Sequence, residues 1–345
     1  MLILSTATLN SRKAPYIDCI RVFAILMVIL LHCIHTYISA ETNFGSSWWW
    51  AAGYANELAR TGVPLFFMIS GYLLISSEGA SDIKSFYKRR FQKVLPAFLI
   101  YSVFYYAGYQ IYYGESLSIS AFLSALFYEG THYHLWFMYS LMMLYLFVPF
   151  LKLILDRCSL KFSLLFLLLT IFPSTLRPFM NIILDGKFTI YLSNDGFSGY
   201  MGYMILGYIL GKYSFAPRVR GIIYALAVLG IVIFPFWNLQ TTLNGNLQFF
   251  FNGGYTINHY LISTGIFLLC KYNLPDKSIG FGRLAPLCFH AYLIHAFILD
   301  LLEKLLQPLS AWIYMTLLFL LTVLTSFLWA GIIKQSLATI KKLSL

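Results

Sequence analysis

Long apolar runs separated by short polar segments organise the whole chain. Runs near 17–39, 60–77, 94–113, 134–153, 161–176, 198–212, 220–237, 256–271, 285–305 and 310–333 each come close to the ~20 residues that carry an α-helix across bilayer hydrocarbon. The pattern predicts an all-α polytopic membrane protein with about ten transmembrane helices. The opening MLILSTATLNSRKAP lacks the order of a cleavable signal, because Arg12 and Lys13 follow its apolar stretch and the next run is too long for a signal core. The first span is therefore expected to stay in place. With no heptads, no repeat of 20–50 residues and no low-complexity linker, residues 1–345 read as a single membrane domain.

Composition narrows the class further. Of 345 residues, 59% are hydrophobic and only 11% charged, against about 25% charged in a soluble domain. A soluble enzyme, a disordered chain and a disulfide scaffold are excluded. Cys19, Cys33, Cys158, Cys270 and Cys288 form no CxxC pair and lie mostly in or beside apolar runs, so they read as small apolar residues and no metal is expected. The net charge of +11 would suggest nucleic acid in a soluble protein. Here the positions of the cations explain it. With the N-terminus in the cytoplasm, all Lys and Arg except Arg60, Arg177, Lys187 and Lys304 fall in inner segments, as the positive-inside bias requires. Both termini are then expected to be cytoplasmic. The outer segments hold Glu41, Glu57, Glu115, Glu129, Asp185, Asp195, Asp300 and Glu303, with Trp48, Trp49 and Trp50 at the first outer boundary. Such a face suits either sugar binding or an ordinary interfacial aromatic belt.

Polar residues inside the runs carry the chemistry, since a charge at a span centre costs about 2.5–3.5 kcal/mol on insertion scales. In the first run Asp18, Arg21, Ile25, Val28, His32 and His35 recur at alternating steps of three and four, which puts every strongly polar residue on one helical stripe. Arg21 precedes His32 by about 16 Å of helix. One wall then offers an anion site near one surface and a proton-transfer group near mid-membrane; an interfacial Asp18–Arg21 ion pair with a hydrogen-bonded His32 is the structural alternative. Ser70 and Gly71 interrupt the second run, as packing residues or as part of a site. In SFYKRRFQKVLP, Lys88, Arg89, Arg90 and Lys93, together with Lys84 just before the run, form either a positive-inside loop or a forked-donor site for phosphates. Glu129, His132, His134 and Trp136 cluster at the outer mouth of the fourth run, where the spacing of the two histidines is poor for zinc. His290, Tyr292 and His295 mark the ninth run, where buried, satisfied histidines are the plainer account.

Together these residues resemble the acyltransferase-3 family of polytopic membrane acyltransferases. Arg21 and His32 match its Arg, ten residues, His spacing; FFMISGY at Phe66–Tyr72 is similar to its FFxxSGY motif; the run ending in Arg89, Arg90 and Pro96 resembles its Arg-rich inner loop; and YLIH at Tyr292–His295 resembles its late-span motif. His35 and His290 depart from the family pattern, which weakens their roles. The resemblance implies a bacterial inner-membrane O-acetyltransferase with acetyl-CoA as co-substrate and no tightly bound cofactor. The acceptor it implies is a surface polysaccharide or lipid-linked saccharide, and PLFFMISGYL with YHLWF gives the narrower likeness to enzymes of enterobacterial common antigen. It implies catalytic roles for His32 and Arg21 and donor binding by Arg89, Arg90 and Ser70. Glu129, His134 and Trp136 are the expected acceptor residues by depth and chemistry, with His35, Tyr292 and His295 in support. A proton-coupled transporter or flippase for a lipid-linked saccharide is the competing class, opposed by the lack of inverted halves with matching broken spans.

Overall fold

A computed structural model describes residues 3–6, 15–184, 195–244, 254–274, 280–306 and 310–343. The charged residues Arg12, Lys13, Asp185, Lys187 and Lys277 lie outside the described residues, as do the side chains of Glu41, Asp195, Lys341 and Lys342. The helices are α1 (Pro15–Ser39), α2 (Ser47–Ala59), α3 (Gly62–Ile75), α4 (Ile83–Tyr113), α5 (Ile119–Ser124), α6 (Trp136–Arg157), α7 (Leu160–Ile183), α8 (Asp195–Lys212), α9 (Pro217–Leu243), α10 (Ile257–Asn273), α11 (Phe281–Leu284), α12 (Cys288–Leu305) and α13 (Ala311–Leu343). One short antiparallel pairing, β1 (Ile3–Thr6) with β2 (Tyr213–Phe215), departs from the all-α plan. The protein is an all-α polytopic membrane protein. Among the described residues eight helical segments are long and apolar enough to cross a bilayer. The predicted runs 198–212 and 256–271 fall on α8 and α10, the latter of 17 residues.

Helix ends gather into two faces. At the Pro15 end of α1, Lys152 Nζ reaches Ile75 O at 3.4 Å, and Lys271 Nζ donates to the carbonyls of Leu210, Gly211 and Tyr213 at 2.7, 3.2 and 2.7 Å. A cation there neutralises the carbonyls that α8 leaves unpaired at its C-terminus. At the Ser39 end, Trp49 Nε1 donates to Ile38 O at 3.0 Å and Lys304 sits over the Tyr112 ring at 3.8 Å. Trp49 is fully buried and Trp50 stacks near Phe236, so two of the three tryptophans close the α1–α2 corner by packing.

The second crossing corrects the sequence expectation. It begins at Ser47 instead of residue 60, because α2 and α3 form one span of 29 residues with a break at Arg60 and Thr61. Glu57 and Arg60, expected in an outer segment, therefore stand near mid-span. SWWWAAGYANELA is too polar around Asn56 and Glu57 for a hydropathy window to claim it, yet those polar groups are buried against protein.

The central pairing sets α3 against α8. A Cβ on Gly71 would collide with the Met204 carbonyl, and one on Gly207 with the Met68 carbonyl. The two backbones touch, as small residues permit in membrane helices. This contact explains the glycine of FFMISGY by packing and holds Ser70, half-buried on α3, beside the crossing.

Candidate active site

Four histidines from three segments converge near the Ser39 end of α1. The His32 ring lies 5.4 Å from His295 and 5.1 Å from Tyr133, and His134 lies 5.1 Å from His295. His132, at the start of the turn before α6, and His134, within it, bring their Nδ1 atoms to 2.7 Å. The local folding explains why they meet. Residues 133–135 form a 3₁₀ turn instead of helix, so side chains at i and i+2 approach. The expected outer-mouth group of Glu129, His134 and Trp136 is thus divided: His134 is buried in the histidine cluster, and Trp136 lies 5.4 Å from Tyr200. Glu129 lines a separate cleft of about 400 Å³ with Tyr106, Tyr109, Gln110, Glu115 and Thr131.

Hydrogen-bond direction assigns the tautomer of neutral His295. His295 Nδ1 donates to Tyr292 O at 2.5 Å, so Nε2 carries the lone pair, buried and without a partner. His132 Nε2 faces Asp300 Oδ2 at 3.4 Å. Its Nδ1 and His134 Nδ1 share one hydrogen bond, in which one ring donates and the other accepts, and His134 is buried. Asp300, His132 and His134 thus stand in sequence beside His295. The Tyr292 hydroxyl donates to His134 O, which fixes the turn to α12. Tyr105 adds a further tie: its hydroxyl donates to Leu293 O at 2.9 Å and accepts from Phe297 N at 3.2 Å, sitting within one helical rung of α12 on either side of His295.

The basic end holds the other predicted residues. Arg21 pairs with Asp18 at 2.9 Å, the structural alternative read from the sequence, and Lys93 lies within electrostatic range of both Arg21 and Arg90. Arg89 Nη2 donates to Gly79 O at 3.1 Å, while Arg90 lies over the Phe86 ring with its Nε buried and unpartnered. His35, one turn past His32, is exposed. Arg21 and His32 thus mark two separate levels of one helix, with Arg90 joining the first and His134 and His295 the second.

A second polar cluster went unread in the sequence. Glu57, buried on α2, accepts from Asn238 Nδ2 of α9 at 3.2 Å and Asn258 Nδ2 of α10 at 2.8 Å, with His259 Nε2 at 3.2 Å. Thr256 donates to Asn258 Oδ1 at 2.6 Å and meets His259 Nδ1 at 3.0 Å. Their scatter over three distant segments gave no local signal. Among the described residues no three His, Cys, Asp or Glu side chains are arranged to hold a metal.

The spans, the arginine level and the histidine level together define a membrane enzyme with a protected base cluster. Residues 14–331 match the acyltransferase-3 model, described as an acyltransferase domain, and the chain belongs to that family of membrane acyltransferases. No curated protein and no solved structure matches it.

Proposed function

We propose that the protein is an O-acetyltransferase of the bacterial inner membrane, with both termini cytoplasmic, that moves acetyl from cytoplasmic acetyl-CoA to a hydroxyl of a surface polysaccharide or its lipid-linked precursor. Enterobacterial common antigen is the particular glycan we propose. The observation that carries this reading is the meeting of His32 with His134 and His295, about 16 Å of helix from Arg21 and the basic loop. Arg89, Arg90 and Arg21 receive the phosphates of acetyl-CoA, Ser70 positions its arm, and the thioester reaches His32. His32 takes the proton of the acceptor hydroxyl as that oxygen attacks the carbonyl carbon. His134 and Trp136 hold the acceptor from the other side, with Glu129 in the neighbouring cleft. His295 and Tyr292 keep the base cluster in place, and His35 lines the approach. No tightly bound cofactor is needed for this chemistry.

The test measures CoA release by purified protein and the acetyl content of surface glycans. Cells lacking the protein are complemented with wild type or His32→Ala at equal membrane abundance. An acetyl increment restored by wild type alone supports the proposal and identifies the glycan. Unchanged acylation with glycan units accumulating on the wrong side of the membrane favours a lipid-linked saccharide carrier instead.

A further inference from the structure

Arg60 is a cation near the middle of a membrane-crossing segment. It terminates α2 inside the continuous span Ser47–Ile75, and the start of α3 beside it presses on α1: a Cβ on Gly62 would come within 2.7 Å of Ala24 O and 3.0 Å of Val28 N. That contact sets Arg60 at the level of α1 just below His32. Among the described residues, Arg60 is the one Arg or Lys that acts electrostatically on His32, and it acts on His35 as well. Tyr200, whose ring neighbours Trp136, interacts with it from α8.

Its carboxylate neighbour does not occupy it. Both oxygens of Glu57 accept hydrogen bonds, from Asn238 and from Asn258, and no ion pair within 4.0 Å joins Arg60 to Glu57 among the described residues. Arg60 Nε is buried with no hydrogen-bond partner, while the residue as a whole keeps some accessible surface. A guanidinium held beside a base cluster with donors to spare suits a charge that arises only during reaction.

We infer that Arg60 is a catalytic residue that stabilises the oxyanion formed when the acceptor hydroxyl attacks the thioester. The inference rests on the proposed role of His32. The hydroxyl oxygen forms a bond to the carbonyl carbon while its proton passes to His32. The carbonyl π pair moves onto oxygen, and the guanidinium of Arg60 donates to that negative oxygen. Collapse restores the C=O bond, breaks the C–S bond, and the departing thiolate takes the proton from His32 to leave as CoA.

The test uses purified protein in proteoliposomes with acetyl-CoA and glycolipids extracted from cells lacking it, reading CoA release. Arg60→Ala is expected to lower kcat by about 10²–10³-fold, with KM for acetyl-CoA within twofold of wild type, and added guanidinium ion should restore part of kcat where ammonium does not. Arg60→Gln is read the same way should Arg60→Ala not hold its fold, judged by thermal unfolding in detergent. A folded variant with kcat within threefold of wild type, or a loss confined to KM for acetyl-CoA, overturns the assignment. His32→Ala is run alongside: transfer retained there removes the underlying reading, whereas transfer lost there but kept in Arg60→Ala removes only the role of Arg60.

Discussion

His295 and His32 stand ring to ring at 5.4 Å, their planes 33° apart, one on α12 and the other on α1. The Nδ1–H of His295 is spent on its own helix, at the Tyr292 carbonyl, so its free lone pair lies on Nε2. A ring so held has two separable functions, one in helix geometry and one as an acceptor near the reaction. His295→Asn keeps a donor close to the Nδ1 position and deletes the Nε2 lone pair. We expect it to fold with near wild-type thermal stability and to lose about 10²-fold or more in acyl transfer. Equal losses of stability and activity would show that His295 serves packing alone.

Tyr105 closes the same region from α4. Its hydroxyl bonds both Leu293 O and Phe297 N, the i and i+4 groups of one rung of α12, so Tyr105→Phe removes a tie between α4 and that rung while the two helical groups keep each other as partners. Loss of that bridge should cost about 0.5–1.5 kcal/mol and loosen the helix on both sides of His295. Hydrogen exchange is the direct measurement: the Phe297 amide should exchange faster in Tyr105→Phe while amides of α9, which Tyr105 does not touch, keep their wild-type rates.

The glycines of the α3–α8 crossing divide by what surrounds them. At Gly71 and Gly207 a methyl group meets a backbone carbonyl of the facing helix, whereas at Gly211 it meets the ring of Tyr72. Backbone cannot move aside without separating the helices, but a ring can rotate or shift. Gly71→Ala and Gly207→Ala should each cost about 1–3 kcal/mol or more through overpacking. Gly211→Ala should cost less, and Tyr72→Ala should relieve it without relieving Gly71→Ala. Thermal unfolding of the five proteins in detergent decides between the two cases.

The parts legible in the sequence were those carried by one segment. Apolar runs located the helices, and the stripe Asp18, Arg21, His32, His35 located one wall of the site because a single helix carries it. His134, Tyr292 and His295 were found through local motifs, although only the fold shows that the turn before α6 and α12 bring them together. Tyr105 was invisible because its function is a bond to a helix 188 residues away in sequence. Glu57 and Arg60 were read as outer-segment charges for a physical reason. Hydropathy measures transfer of isolated side chains to lipid, and these two are solvated by protein at mid-span. A buried polar cluster assembled from α2, α9 and α10 satisfies Glu57, and no window over one segment contains its partners.

That cluster sets the last prediction. The Glu57 carboxylate ties α2 to α9 through Asn238 and to α10 through Asn258, with all three residues buried. Removing the carboxylate alone leaves two amide donors without their acceptor in a setting where water cannot replace it. Glu57→Ala should therefore lose about 3–5 kcal/mol. Replacing the whole group by apolar residues of similar size removes the unmet donors together with the acceptor, so Glu57→Leu combined with Asn238→Leu, Asn258→Leu and His259→Phe should recover much of that loss. The two proteins also separate stability from catalysis. If the cluster serves only to tie helices, the fourfold variant regains stability and activity together. If it also sets the direction of Arg60, one turn further along the same span, stability returns while acyl transfer stays low. Thermal unfolding and CoA release, measured on the same preparations, distinguish these results.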